Sequence, residues 1–366
     1  MIQRNQKKRP SIYRIKAIFM LMLLAVRKYG LCRLISNSDN SAMYNQKGET
    51  MNPYRLGSFN LYKFHAKTHK DLEIIRRIIV ENRIDILSIQ EIFSQNALDN
   101  LLMVMGPHWD GRWATPESRS ASAAEGYAFV WNKDRIGLSQ RRSGSFFEPV
   151  IHNQYSHKDG GGLVRNPFYG RFVIKDNTMI ELRIINTHIM FSLERAENES
   201  EDHDSSITHP GAVSMRKREF SILASKILPK LDDKAYDQQW NECDDICRKP
   251  YTILMGDYNL NLRESGAKDS FIDEPLIIIR EPNSEKRIVT VQSDLTTLKA
   301  KPSDGSAING YRNNFDHFTY DANRPIQTKA WAVDIPNDAS FFQGDYERYK
   351  KDVSDHLMIM IEISFV

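Results

Sequence analysis

Along this chain, one short apolar run after another meets a side chain that can do chemistry. Asn60 closes "SFN", Gln90 and Glu91 close "SIQE", and His188 follows "INT". Asp257 and Asn259 interrupt "ILMGDYNLN", Asp316 opens "DHFTY", and Ser354, Asp355 and His356 stand just before "LMI". A carboxylate or carboxamide after a strand is usually a turn device, because Asn and Asp bond their own backbone. One such position alone says little; their recurrence says more. Carboxylates and amides are the hard oxygen donors that Mg²⁺ prefers, a few at a time with waters completing the shell. A histidine backed by a carboxylate is suited to moving protons near neutral pH, since the carboxylate fixes its tautomer and stabilises its charged form. Both sets suit hydrolysis of a phosphodiester, whose oxygens repel a nucleophile and whose alkoxide leaves poorly; Mg²⁺ answers both difficulties. On residue type Glu91 leads as metal ligand, with Asn60 and Asp355 as helpers. Asp257 and Asn259 are placed to hold a second ion or the waters of the first.

The elements that must position these groups begin after a polar stretch rich in turn formers, Ser36 to Pro53, which sets a boundary near residue 50. Residues 1–50 read as a basic N-terminal extension and 51–366 as one domain. Strands are expected at "YRLGSFNLY", "IDILSIQE", Gly126–Asn132, Phe168–Lys175, Met179–Ile189, Tyr251–Asp257, Phe315–Tyr320 and Leu357–Val366. "KDLEIIRRIIVEN" puts Leu72, Ile75, Ile78 and Ile79 on one helical face, and Ser214–Leu228 turns Phe220, Leu223, Ile227 and Leu228 inward. So many strands with fewer helices and no repeat predict sheets packed face to face with helices outside. The acidic run Glu194–Asp204 reads as a solvated loop.

The chain has 366 residues, 41% of them hydrophobic, enough for a substantial core. Its net charge of +3 hides a division: 10 of 50 Lys/Arg and 2 of 47 Asp/Glu fall in residues 1–50, so the remainder is mildly acidic. A phosphate-rich partner must therefore be met by local clusters or bound cations. Three cysteines, Cys32, Cys243 and Cys247, build neither a disulfide framework nor a zinc site. The run "AIFMLMLLAV" resembles the apolar core of a signal peptide but is followed directly by Arg27-Lys28. A cytoplasmic location is favoured, with export the alternative if residues 1–35 act as a signal.

Taken in order, "SFN", "SIQE", "EGYAFVWN", "INTHIM", "MGDYNLN", "NNFDHFTY" and "SDHLMI" resemble the motif series of the endonuclease/exonuclease/phosphatase superfamily, from about residue 54 to the C-terminus. The resemblance implies the deoxyribonuclease I-like fold: an α/β (α+β) four-layer sandwich, two mostly antiparallel sheets packed together and flanked by helices, with the site where strand ends of both sheets meet. It implies that Glu125 backs His188 and Asp316 backs His356. It further implies that Asp257 orients the attacking water, while Asn259 and His356 donate to the non-bridging phosphate oxygens. Arg165, in "LVRNPF", resembles an arginine that neutralises substrate phosphate, beside the alternative of a plain surface arginine. His317, next to Asp316, is expected on the opposite face of its strand.

The histidine in "NTHIM" disfavours the abasic-site branch, and "NNFDHFTY" disfavours inositol polyphosphate 5-phosphatases. Glu125 before an aromatic-rich strand resembles the deoxyribonuclease I branch. Lys299 and Lys301, in the loop Thr296–Ser303, are candidate phosphate contacts or plain solvated lysines. The expected activity is a Mg²⁺-dependent phosphodiester hydrolase, Mn²⁺ or Ca²⁺ supporting, that acts as an endonuclease on DNA with low sequence specificity. DNA is the expected partner, as substrate of a monomer with no stable protein partner. Two alternatives stand beside it: a phosphodiesterase for a phospholipid head group or small phosphorylated metabolite, and an inactive binding module.

Overall fold

The computed structural model describes residues 52–116, 125–153, 162–192, 211–233, 248–266, 270–282 and 284–365. All of them belong to one unit, residues 52–240 and 244–366. The basic extension, the three cysteines and the acidic run Glu194–Asp204 lie outside the described residues.

From the N-terminal side come β1 (Tyr54–Phe64), α1 (Leu72–Glu81), β2 (Ile86–Ile92), α2 (Gln95–Met105), β3 (Trp109–Ala114), β4 (Gly126–Asn132), β5 (Ile136–Leu138) and β6 (Val150–Ile151). Then follow β7 (Phe168–Ile174), β8 (Asn177–His188), α3 (Val213–Ile222) with a π-helical turn at Leu223–Ile227, and α4 (Leu228–Asp232). The last third holds β9 (Lys249–Asp257), β10 (Leu276–Glu281), β11 (Ser284–Val291), β12 (Asp316–Asp321), β13 (Ile326–Ala332), α5 (Tyr346–Asp352) and β14 (Ile359–Phe365). No helix among the described residues is long and apolar enough to cross a membrane.

One sheet has six strands in the order β13-β14-β1-β2-β4-β3, and the other runs β10-β11-β12-β9-β8-β7-β5, with β6 also on β7. Each sheet has one parallel pair, β1 with β2 and β8 with β9; the other pairings are antiparallel. Period-2 alternation divides each strand between two faces. On the outer face of the six-stranded sheet, Phe59, Leu61, Leu87, Ile89, Ala128 and Val130 pack with Ile75, Ile78 and Ile79 of α1, Leu98 and Leu101 of α2 and Tyr349 of α5. On the outer face of the other, Ile185 and Leu254 meet Phe220, Leu223, Ile227 and Leu228. The inner faces join through aromatic contacts: Phe129 stacks on Phe168 at 4.7 Å, and Trp131 meets Phe172 edge-on at 5.4 Å. Helix, sheet, sheet, helix is the expected four-layer sandwich.

Local signals fix the helix ends. Asp71 accepts from the Ile74 amide at 3.0 Å to start α1, and Ser94 accepts from Ala97 at 3.2 Å to start α2. Each such cap contributes about 1 kcal/mol. Gly256 is the exception to ordinary strand geometry, with φ +145° and the position of an added Cβ 1.9 Å from the Thr187 carbonyl oxygen of β8. Glycine is required here by the neighbouring strand.

Candidate active site

Pairing register carries the chemistry to one place. Parallel β8 and β9 set His188 beside Asp257, and antiparallel β12 sets Asp316 on the other side of Asp257. In the facing sheet Asn60 of β1 pairs with Gln90 of β2. Asn60, Gln90, Asn186, His188 and Asp257 share the strand parity that faces the opposite sheet, and two hydrogen bonds among these side chains help close the gap. The Asn60 Nδ2 donates to Asp257 Oδ2 at 3.0 Å, and the Gln90 Nε2 donates to Asn186 Oδ1 at 2.7 Å. His356 arrives on the segment before β14, which pairs with Thr296–Leu298: Leu298 N donates to Asp355 O at 2.8 Å and Leu357 N to Thr296 O at 2.7 Å. Ser354 ties this segment to β1 by donating its hydroxyl to Asn60 O at 2.6 Å, and Tyr349 donates to His356 O at 2.6 Å.

The result is symmetrical about one oxygen. Asp257 Oδ2 stands 3.6 Å from the Nε2 of His188 and 3.6 Å from the Nε2 of His356. Behind each imidazole a carboxylate holds Nδ1: Glu125 Oε1 in hydrogen-bond contact with His188, and Asp316 Oδ2 at 2.9 Å from His356. Glu125 is held from its other side by Arg165, Nη2 to Oε2 at 2.8 Å. The Tyr127 hydroxyl accepts from the His188 amide at 3.2 Å. His317 turns to the opposite face as expected, with Nε2 at 2.8 Å from Leu260 O.

Electrostatics follow from burial and these pairs. Burial pushes the Asp257 carboxyl up, against the opposing charges of His356 and His188. Burial alone would push both histidines down. The charges of Glu125 and Asp257 nevertheless hold His188 above its ordinary value, and those of Asp316 and Asp257 hold His356 well above it. Burial would raise Glu125, but His188 and Arg165 bring it below its ordinary value.

The strand does not continue beyond Asp257. Asn259 has φ +50°, and Asp257 Oδ1 accepts its amide at 2.9 Å, so the pair forms a side-chain-closed turn. Its Nδ2 donates to Ile189 O at 2.9 Å, and Tyr258 packs away, buried, against Phe220 and His317. Glu91 is likewise left-handed at φ +57°, accepting from Asn60 Nδ2 at 3.1 Å and from the Lys63 amide at 2.9 Å. Left-handed backbone at bulky residues costs energy and gathers at functional sites.

One group of three among the described residues fits a cation. Asp257, Asp316 and His356 each place a ligand atom within 4.8 Å of the others. Glu91 and Asp355 offer carboxylate oxygens on the side of the six-stranded sheet, and both lie close enough to act on the charge of Lys70. Asp316 Oδ1 and Asp355 Oδ1 are both buried without a hydrogen-bond partner among the described residues. A buried carboxylate oxygen without a donor is costly, and a cation removes that cost. Asn60 turns its nitrogen, not its oxygen, toward Glu91 and Asp257, because its Oδ1 accepts from Tyr62 N at 2.9 Å; ligation by that oxygen requires the amide to turn over. Lys301 is paired with Glu347 at 3.0 Å.

No family model matches the chain, and no curated protein matches it. Among solved structures, an endonuclease/exonuclease/phosphatase family protein from Bacteroides thetaiotaomicron is 15% identical with a TM-score of 0.49, covering 86% of this chain and 100% of its own. A mannosyl-6-phosphatase from the same organism is 15% identical with a TM-score of 0.47, covering 85% and 100%. D. rerio TDP2 complexed with a single-strand DNA product is 11% identical with a TM-score of 0.46, covering 86% and 100%. The likeness is one of fold alone. At this degree of superposition it adds no weight to any substrate.

Several supporting residues escape sequence reasoning. Arg216 is buried and donates to the Asn259 carbonyl, and Glu219 is buried near Arg165 with its carboxyl raised by burial to about 7. Their signal is periodicity: Arg216 and Glu219 fall on the same face of α3 as Phe220 and Leu223, where a solvated helix would carry only apolar groups. Tyr349 carries no comparable signal, since it acts through a backbone carbonyl, His356 O.

Proposed function

We propose that this protein is a metal-dependent phosphodiester hydrolase and that DNA is its substrate. The observation that carries the reading is Asp257 Oδ2 between two Nε2 atoms, each imidazole held at Nδ1 by its own carboxylate. A phosphodiester set over Asp257 meets both Nε2 atoms at once. Water orients on Asp257, one imidazole takes its proton as the new P–O bond forms, and the other imidazole delivers a proton to the departing oxygen as the old bond breaks. The Nδ1 carboxylates keep each ring in the tautomer that presents Nε2, and their charge stabilises the imidazolium. The side from which water arrives decides which histidine is base and which acid. Asn259 is the donor for charge growing on a non-bridging oxygen, through the second hydrogen of the Nδ2 that bonds Ile189 O.

Mg²⁺, when bound, neutralises the phosphate and the leaving alkoxide. Glu91, which reaches Asp257 through Asn60 Nδ2, and Asp355 are the hard-oxygen residues that would hold it. The grouping that includes His356 is less suited, because imidazole favours softer cations. The choice of DNA rests on the motif resemblance, in particular Glu125 behind His188.

The test is incubation of purified protein with supercoiled plasmid and Mg²⁺, Mn²⁺ or Ca²⁺, with and without EDTA. Nicking that EDTA abolishes is expected. Absence of metal-dependent nicking with all three ions contradicts the nuclease reading.

A further inference from the structure

Beyond Asn60 the chain makes an unusual excursion. Tyr62 and Lys63 are consecutive left-handed residues, φ +40° and +53°, and the pairing of β1 with β2 shifts register across them. Their amides are spent on the site itself, Tyr62 N donating to Asn60 Oδ1 and Lys63 N to Glu91 Oε2, both at 2.9 Å. Around the Tyr62 ring gather three ammonium groups from three places in the chain. The Nζ atoms of Lys63, Lys70 and Lys350 lie 5.1, 5.5 and 5.6 Å from its centroid. Lys70 donates to Val353 O at 2.7 Å, and Lys350 stands 3.7 Å from Asp355. Among the described residues, neither Lys63 nor Lys70 has a carboxylate within ion-pair distance, and the Tyr62 hydroxyl has no hydrogen-bond partner.

Cation–π attraction to one ring of about 0.5–2 kcal/mol per pair does not favour crowding three like charges that repel one another. Asp355, Glu91 and Asp352 offset part of that repulsion, and an anion seated at the ring would offset the rest. The cluster's distance from the chemistry is short: Glu91 and Asn60 alone stand between the Lys63 backbone and Asp257, through contacts of 2.9, 3.1 and 3.0 Å. We propose that Tyr62, Lys63, Lys70 and Lys350 form a second phosphate subsite, which holds a phosphate of a nucleic-acid strand next to the one cleaved at Asp257. This rests on the phosphodiesterase reading and sharpens it: the substrate is a chain of phosphodiesters, and a lone diester engages only the centre at Asp257. The Tyr62 hydroxyl and the lysines supply donors to the phosphate oxygens, and the strained backbone aims them while its amides lock Asn60 and Glu91.

The experiment compares wild type with Lys63→Ala/Lys350→Ala and Lys63→Arg/Lys350→Arg. Lys70 is left intact, since its half-buried ammonium bonds the backbone. Turnover is measured in Mg²⁺ on a single-stranded oligonucleotide and on bis(p-nitrophenyl) phosphate, which carries one diester. The alanine variant is expected to lose at least tenfold more kcat/KM on the oligonucleotide than on the small diester, mainly through KM, with the arginine variant close to wild type. In a second arm, fluorescence anisotropy of a labelled oligonucleotide in EDTA measures binding without turnover. The alanine variant is expected to bind at least fivefold more weakly, with a shallower dependence of log K on log salt. Equal losses on both substrates, or unchanged affinity and salt slope in EDTA, overturn the subsite. Wild-type protein that binds through these lysines but cleaves neither substrate instead refutes the phosphodiesterase reading.

Discussion

At the scale of single residues, the site is organised by what stands behind each group. Arg165 is the clearest case. The sequence offers it as a phosphate-binding arginine, whereas in the fold its guanidinium is paired with Glu125, the carboxylate behind His188. Arg165→Met is therefore expected to lower kcat about tenfold with little change in KM, and to displace the pH–rate limb that reports His188. A phosphate-binding arginine would instead raise KM and leave that limb in place. His188, Asp257, Asp316 and His356 were legible because each sits directly beside an apolar run. Arg165 was not, since a loop sequence gives no register and hence no partner.

Elements supply that register, and two of them carry testable energetics. Gly256→Ala places a methyl group against the Thr187 carbonyl at a φ that L-residues rarely adopt, so it is expected to destabilise the fold by about 3 kcal/mol or more in urea titration. The parallel pairing of β8 and β9, which no local pattern reveals, is what demands glycine here. Farther from the site, Glu181 of β8 is buried between Arg171 and Arg183. Burial would raise its carboxyl, but the two arginines, with a hydrogen bond from Ser139, hold it at about 2. A carboxyl lowered in the folded state contributes stability that is complete above its unfolded value, about 4.3, and is lost as pH falls toward the folded one. The wild type is thus expected to lose about 3 kcal/mol from this group as pH falls from ~5 to below ~2, and Glu181→Gln to lack that component of the acid transition. Helices α1 and α3 and strands β1, β2, β4, β7, β8, β9, β12 and β14 were readable from period and composition. Strands β3, β10, β11 and β13 and helix α5 were not, because half-exposed strands and a short helix leave a weak apolar pattern; α2 was not because the unbroken apolar run Leu101–Met105 blurs its period.

For the molecule as a whole, two sheets meet so that acidic groups from both crowd one mouth, with two carboxylate oxygens buried and undonated. A cation that binds there binds only the folded chain, so stability should rise with its concentration. At tenfold excess over Kd the gain is expected to be about 1.4 kcal/mol, read as a rise in Tm on adding Mg²⁺. Glu91→Gln/Asp355→Asn should abolish that rise. The layered architecture was legible from strand-rich composition, but convergence of residues 60, 91, 188, 257, 316 and 356 on one point required the topology. The central claim is that His188 and His356 work as a unit about Asp257. Its most direct test is a double-mutant cycle on metal-dependent plasmid cleavage, with circular dichroism to verify folding. The account predicts that His188→Ala and His356→Ala each lower kcat by about 10²-fold or more, and that the double variant is hardly worse than the weaker single one. Folded single variants that cleave at the wild-type rate would contradict it.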